Sequence, residues 1–169
     1  MVKVVSNASP IIGLIKIQKL YLLWELFDEI YITSVVYDEI MSGNAKRDTN
    51  NSIQALEEAV NAKRIKIYEV ADKQLVEKLY GKLHKGELET IIAAKELDIE
   101  FVIIDEKAAR NLAESFLLTP IGIVGVILFA KSKSRIEAVK PLLEELISSG
   151  FRTSDKIYKW ALEQAGETE

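Results

Sequence analysis

Three separated stretches place an acidic or amide side chain just past a run of strand-forming residues or at the start of a helix. They are Val4-Val5-Ser6-Asn7-Ala8-Ser9-Pro10, Leu83-His84-Lys85-Gly86-Glu87-Leu88-Glu89 and Phe101-Val102-Ile103-Ile104-Asp105-Glu106. In an open parallel sheet the carboxyl ends of the strands converge on one crevice, so polar groups from distant segments meet there around one ligand. Carboxylates with no basic partner nearby in sequence point to a divalent cation. Cysteine is absent and His84 is the single histidine, which excludes disulfides, thiolate zinc sites, cysteine nucleophiles and histidine-pair acid/base chemistry. Chemistry must run on carboxylates and hydroxyls.

The elements that position these groups alternate. Strand patterns cover 2–6, 29–32, 65–70, 101–104 and 119–121. Between and after them, helical patterns run over 10–16, 19–26, 34–41, 51–62, 72–81, 86–97, 108–116, 125–133, 141–149 and 154–165. Ser9 is the expected cap of the first helix, with Pro10 in a first turn where its missing N–H costs nothing. Thr33 or Ser34 caps the third helix, Ser42-Gly43-Asn44 stops it, and Asp48 or Asn51 starts the next. Residues 101–104 form a bare apolar run of the kind buried on both faces. The alternation predicts an α/β fold, a three-layer α/β/α sandwich around a central parallel sheet with a helical C-terminal tail.

A chain of 169 residues, 49% hydrophobic, buries one good core, so one domain over 1–169 is expected. No basic start leads into a long apolar run, and no apolar stretch reaches the roughly 20 residues of a membrane helix. The expectation is a soluble, cytoplasmic protein without membrane contact. A net charge of -4 argues against a broadly basic nucleic-acid surface, although a bound metal supplies local positive charge in an acidic protein.

Five segments resemble, in order, those of the PIN-like domain family: Val5 to Ile12, Ile32 to Ile40, Leu83 to Glu89, Val102 to Arg110 and Gly122 to Lys131. More narrowly they resemble a prokaryotic branch related to VapC toxin ribonucleases, whose C-terminal end often reads like Gly150-Phe151-Arg152-Thr153-Ser154-Asp155. The resemblance implies a Mg²⁺- or Mn²⁺-dependent endoribonuclease, toxin-like or RNA-processing, whose site is Asn7, Glu39, Glu87 and Asp105. It also implies RNA as substrate, an antitoxin protein as a possible partner, and a homodimer. Single-stranded RNA is the better fit, because a crevice reaches unpaired chains more easily than a duplex groove.

The residues themselves weigh these assignments unevenly. Asp105, between a strand and a helix, is a natural helix cap, and the family motif is what makes it a site carboxylate. Glu106 falls in the first helical turn, favoured by the dipole and a reserve ligand at best. With Val36 and Ile40 marking the core side, Glu39 lies roughly 60° from Val36 and Asp38 roughly 160° away, so Glu39 borders the protected face. Glu87 and Glu89 share one first turn, and the family's Gly-Glu pattern selects Glu87. Asn7 is a departure, since most PIN-like nucleases carry Asp there. Asn keeps the shape and one oxygen but loses a charge worth several kcal/mol near an ion, at an effective dielectric near 20 and before desolvation. The alternative is therefore a catalytically weak RNA- or protein-binding module. Read blandly, Asn7 is a turn residue leading into Ser9, and Ser6 and Ser9 share that reading.

Lys107 and Arg110 follow Asp105 closely and are expected to hold the RNA backbone. Lys46-Arg47 and the run Lys131 to Arg135 are local basic patches. His84 receives no role. Trp24, Tyr37 and Trp160 read as core or interface rather than as base-stacking platforms. Leu20, Leu23, Trp24 and Phe27, with Ile157, Tyr158 and Trp160, offer more large apolar side chains than one sheet covers, which also suggests a homodimer. Two other classes compete. A phosphoacceptor domain of receiver type wants an acidic pair after strand one, which Asn7-Ala8 lacks, and an oligomerisation scaffold would need no site at all.

Overall fold

The computed structural model describes residues 1–42, 49–81 and 83–168. Five parallel strands, β1 (Lys3–Ser6), β2 (Glu29–Thr33), β3 (Lys66–Tyr68), β4 (Phe101–Ile103) and β5 (Thr119–Ile121), lie in the order β3-β2-β1-β4-β5. Between them run α1 (Ala8–Lys16), α2 (Leu22–Leu26), α3 (Ser34–Met41), α4 (Thr49–Asn61), α5 (Lys73–Leu79), α6 (Lys85–Glu96) and α7 (Lys107–Ser115). A helical tail follows, α8 (Ile123–Ser132), α9 (Lys140–Ser148) and α10 (Asp155–Ala165).

The apolar strands read as bare runs because both faces are covered. Val4 and Ile103 join a core with α1 to α4 and α8 to α10, whereas Val5, Val102 and Ile104 join a second core with α5 to α7. This is the expected α/β fold with a central parallel sheet. The tail is part of it, because Val126, Leu143 and Ala161 are buried in the first core.

The strand order reverses at β1, which pairs with β2 on one side and β4 on the other. Ser6 lies opposite Ile103, and the Asn7 N–H continues the ladder to the Ile103 carbonyl at 3.0 Å. Such a switch point opens a crevice beyond the strand ends. Asn7 and Asp105 lie at its two lips.

Local boundaries depart from expectation at α1. Its N-cap is Asn7, in extended backbone with no side-chain cap bond, and the helix starts at Ala8. Ser9 is an exposed second helical residue rather than the cap. Pro10, now third, still falls among the four N–H positions that have no intrahelical acceptor. The shift leaves the Asn7 amide free to face the crevice. Thr33 caps α3 as expected, accepting from the Val36 N–H at 3.2 Å. Strand β3 is shorter than the 65–70 pattern. Gly43, Asn44, Lys46, Arg47 and Asp48 lie outside the described residues.

The apolar surplus divides unequally. Leu20, Leu23 and Phe27 turn into the chain's own core, and Trp24 is half-buried with the Arg64 guanidinium 5.9 Å from its ring centroid. Ile157 and Trp160 on α10 stay exposed.

Candidate metal centre

Two glycines, one on each side of the crevice, allow the acidic side chains to approach the main chain. Gly86, in the first turn of α6, is buried against α3 and the end of β1. A β-carbon there would stand 2.9 Å from Glu39 Oε2, 3.5 Å from Val36 Cγ2 and 3.6 Å from Asn7 Oδ1. Glu39, Asn7 and the start of α6 thus converge on one point. Val36 and Ile40 fix the roll of α3 by burying its inner face, which brings Glu39 alongside Gly86.

Gly122 is the second of these glycines. A β-carbon there would stand 3.0 Å from both Asp105 Oδ1 and Arg110 Nη1. Gly122 is the N-cap of α8 and has no side chain to cap with, so Asp105 serves from another loop: its Oδ1 accepts from the Ile123 N–H at 2.8 Å. Asp105 therefore caps α8 and not its own helix α7, whose N-cap is Glu106. The second oxygen, Oδ2, is buried without a hydrogen-bond partner.

The carboxylates here are held away from the charged form. Burial pushes the Asp105 pKa up, against the pull of the Ile123 N–H and the Arg110 guanidinium. Burial also raises Glu87, opposed by His84 and reinforced by Glu106 and Glu39. Glu39 is exposed at the rim, yet partial desolvation raises it too, again opposed by His84. Among the described residues none of the three forms a salt bridge, so desolvation outweighs the pull of Arg110 on Asp105 and of His84 on the two glutamates.

A family model for the PIN domain matches residues 3–167. The chain belongs to the PIN-domain family. No curated protein matches the sequence. PIN domains have a nuclease fold and generally depend on divalent metal.

This PIN domain supplies oxygen donors throughout: the Asn7 amide and the Glu39, Glu87 and Asp105 carboxylates. That set, with the unpartnered Asp105 Oδ2, fits a hard divalent cation that keeps part of its water shell. Among the described residues, no three His, Asp or Glu side chains stand close enough to enclose an ion. Two separate convergences are seen, of Glu39 with Asn7 around Gly86 and of Asp105 with Arg110 at Gly122.

Other sequence candidates fall elsewhere. Glu89 is completely buried, its oxygens lack hydrogen-bond partners, and its neighbour is Lys73 of α5 at 3.6 Å, not the residues around Gly86. Glu106 and Lys107 are exposed at the start of α7. Arg110 is half-buried and donates inward, from Nη1 to the Ile104 carbonyl at 3.1 Å. His84, given no role from sequence, is the N-cap of α6 and lies near enough to Glu39 and Glu87 to favour their charged forms. Gly122 and the Ile123 N–H have no role from sequence, because the helical pattern there runs over 125–133 whereas α8 starts at Ile123 with Gly122 as its N-cap. Among the described residues, no helix is long and apolar enough to cross a membrane.

Proposed function

We propose that this PIN domain is a metal-dependent endoribonuclease that hydrolyses phosphodiester bonds of single-stranded RNA, with Asn7, Glu39, Glu87 and Asp105 holding Mg²⁺ or Mn²⁺. The observation that carries this reading is Asp105, whose buried Oδ2 has no partner although its Oδ1 accepts from the Ile123 N–H and the preceding carbonyl, of Ile104, accepts from Arg110. A bound divalent ion acidifies water and stabilises the charge on the phosphate in the transition state. The protein's own part is to hold the carboxylates. Gly86 leaves room for Glu39 beside the start of α6, and the Glu39 charge adds to the cost of ionising Glu87 when no cation is bound. Asp105 is oriented by the Ile123 N–H, so its remaining oxygen faces no competing donor. Exposed Lys107 is the candidate contact for a phosphate of the RNA backbone.

Asn7 favours one second reading, a binding module with weak or no catalysis. Its neutral amide stands where most PIN-like nucleases carry a carboxylate. A toxin-like or RNA-processing role in the cytoplasm, an antitoxin protein partner and a homodimer belong to the same proposal. The homodimer rests on Ile157 and Trp160, which α10 leaves exposed.

Purified protein on a mixed structured RNA, with Mg²⁺, Mn²⁺ or chelator, tests the reading. Cleavage in unpaired regions that requires either ion supports it. RNA binding without metal-dependent cleavage establishes the binding module instead.

A further inference from the structure

Arg110 lies one turn into α7 and reaches back toward the sheet. Its Nη1 donates to the Ile104 carbonyl at 3.1 Å, and the Ile104 N–H donates to the Ile121 carbonyl at 2.9 Å. Ile104, the residue before Asp105, is thus held at its N–H by β5 and at its carbonyl by the guanidinium. The Asp105 side chain is held in turn by the Ile123 N–H through Oδ1 at 2.8 Å. Arg110 Nη1 and Asp105 Oδ1 flank the same α-carbon, Gly122, and a β-carbon there would stand 3.0 Å from each. A guanidinium suits this place because its planar fork bonds a carbonyl with one nitrogen while its charge stays beside the neighbouring carboxylate. The hydrogen bond goes to the main chain, so Asp105 Oδ2 keeps no partner.

We infer that Arg110 is a positioning residue that fixes the Ile104–Asp105 peptide and the adjacent carboxylate for a cation, and that it is not a contact for the RNA backbone. The inference rests on the metal-dependent reading above and assigns Arg110 a role within that site. A half-buried guanidinium committed to a carbonyl has lost the freedom that a phosphate contact requires. Lys107, three residues earlier and exposed, keeps that freedom.

The experiment compares Arg110→Ala, Arg110→Lys and Lys107→Ala in the full chain. Mn²⁺ binding is measured by calorimetry, single-stranded RNA binding is measured in chelator across a salt series, and amide exchange is followed at Ile123. Arg110→Ala should weaken Mn²⁺ binding about 10- to 100-fold, the usual effect of losing an outer-shell partner. It should speed exchange at Ile123 and leave RNA binding and its salt slope unchanged. Arg110→Lys should recover part of the Mn²⁺ affinity, and it serves alone if the alanine variant fails to fold. Lys107→Ala should do the reverse, leaving Mn²⁺ binding intact and reducing the salt slope by about 0.7. The inference is overturned if Arg110→Ala or Arg110→Lys binds Mn²⁺ like the parent while RNA binding weakens and its slope falls. If the parent chain binds no Mn²⁺, the metal-dependent reading fails. Exchange at Ile123 then decides the inference alone: acceleration in Arg110→Ala supports the positioning role and protection equal to the parent refutes it.

Discussion

Two sets of carboxylates in this molecule have opposite surroundings. Around the body of the fold, Glu96 accepts from the Ala71 and Asp72 N–H groups and the Tyr68 hydroxyl, and Glu167 binds Lys131 and the Val139 and Lys140 N–H groups. Glu29 takes Lys3, Tyr31 and Lys66, which lower its pKa to about 2. All three are held below the ordinary carboxylate range. At the crevice, Glu39, Glu87 and Asp105 are raised by desolvation, and one Asp105 oxygen has no partner. The first set ties elements together. The second carries a desolvation cost on its charged forms that a cation would offset, and perturbed groups concentrated in a cleft are what a functional site looks like.

The sharpest way to break the comparison removes one charge from each set. Asp105→Asn keeps an oxygen for the Ile123 N–H, whereas Asp105→Ala would also lose a cap worth about 1 kcal/mol. Asp105→Asn should therefore reduce metal-dependent cleavage to the level seen in chelator while the melting temperature stays at or above the parent's. Glu96→Gln should do the opposite, leaving cleavage intact and lowering stability by on the order of 1 kcal/mol through its weakened backbone bonds. Cleavage at the parent rate by Asp105→Asn, with contaminating nuclease excluded, would end the assignment of that carboxylate.

Glu89 belongs to neither set, being fully buried with Lys73 as its ion-pair partner among the described residues. Lys73→Met leaves that carboxylate without its cation. A loss on the order of 2 kcal/mol is expected, below the roughly 3–5 kcal/mol of a fully buried pair because Lys73 is half exposed. Adding Glu89→Leu should recover most of it in chemical denaturation. No recovery would mean that Glu89 has another partner in the folded state.

A smaller effect tests the departure at Asn7. Asn7→Asp adds charge without changing shape, beside Glu39 and Gly86. It should tighten Mn²⁺ binding by about tenfold, or about 1.4 kcal/mol, part of the Coulomb gain being offset by desolvation. Equal and negligible calorimetric heats from both proteins would leave a PIN domain without a metal site.

Much of the architecture was legible because strand and helix patterns differ in period, and an unbroken run such as 101–104 signals burial on both faces. The angle separating Glu39 from Asp38 was legible for the same reason. What lay hidden depends on contacts between distant segments. That Glu89 faces Lys73 requires α5 to pack on α6, and nothing in Gly86-Glu87-Leu88-Glu89 records it. Asp105 was recognisable as a cap, but the helix it caps is α8, because β5 returns Gly122 to its side. Arg110 was expected at the RNA backbone because it follows Asp105 closely, while its acceptor is the carbonyl of Ile104. The cap of α1 was misplaced by two residues, since Ser9 and Asn7 are both good caps and only the β1–β4 ladder, extended by the Asn7 N–H, chooses between them. The site residues came chiefly from the family resemblance, and periodicity alone would not have gathered them.

The gentlest test of the comparison is stability against pH without metal. Glu87 titrates near the ordinary carboxylate value in the unfolded chain and above it in the folded protein, because burial disfavours its charge. Between those two values the folded state holds more protons, so stability falls as pH rises through the window and the penalty is complete above the folded value. Glu29, Glu96 and Glu167 act in the opposite sense, contributing stability that is lost only as pH falls below the ordinary range. The two sets therefore act in separate windows. In chelator, the melting temperature should rise on going from neutral to mildly acidic pH and then decline in stronger acid. Glu87→Gln, which cannot ionise, should raise the neutral melting temperature and flatten the upper limb alone. Saturating Mn²⁺ should reverse that limb in the parent, because the ion binds the deprotonated carboxylates and stabilises the folded state by mass action. An upper limb that is flat in the parent, or unaltered by Glu87→Gln, would show that the crevice carboxylates bear no larger penalty on their charged forms than those on the body of the fold.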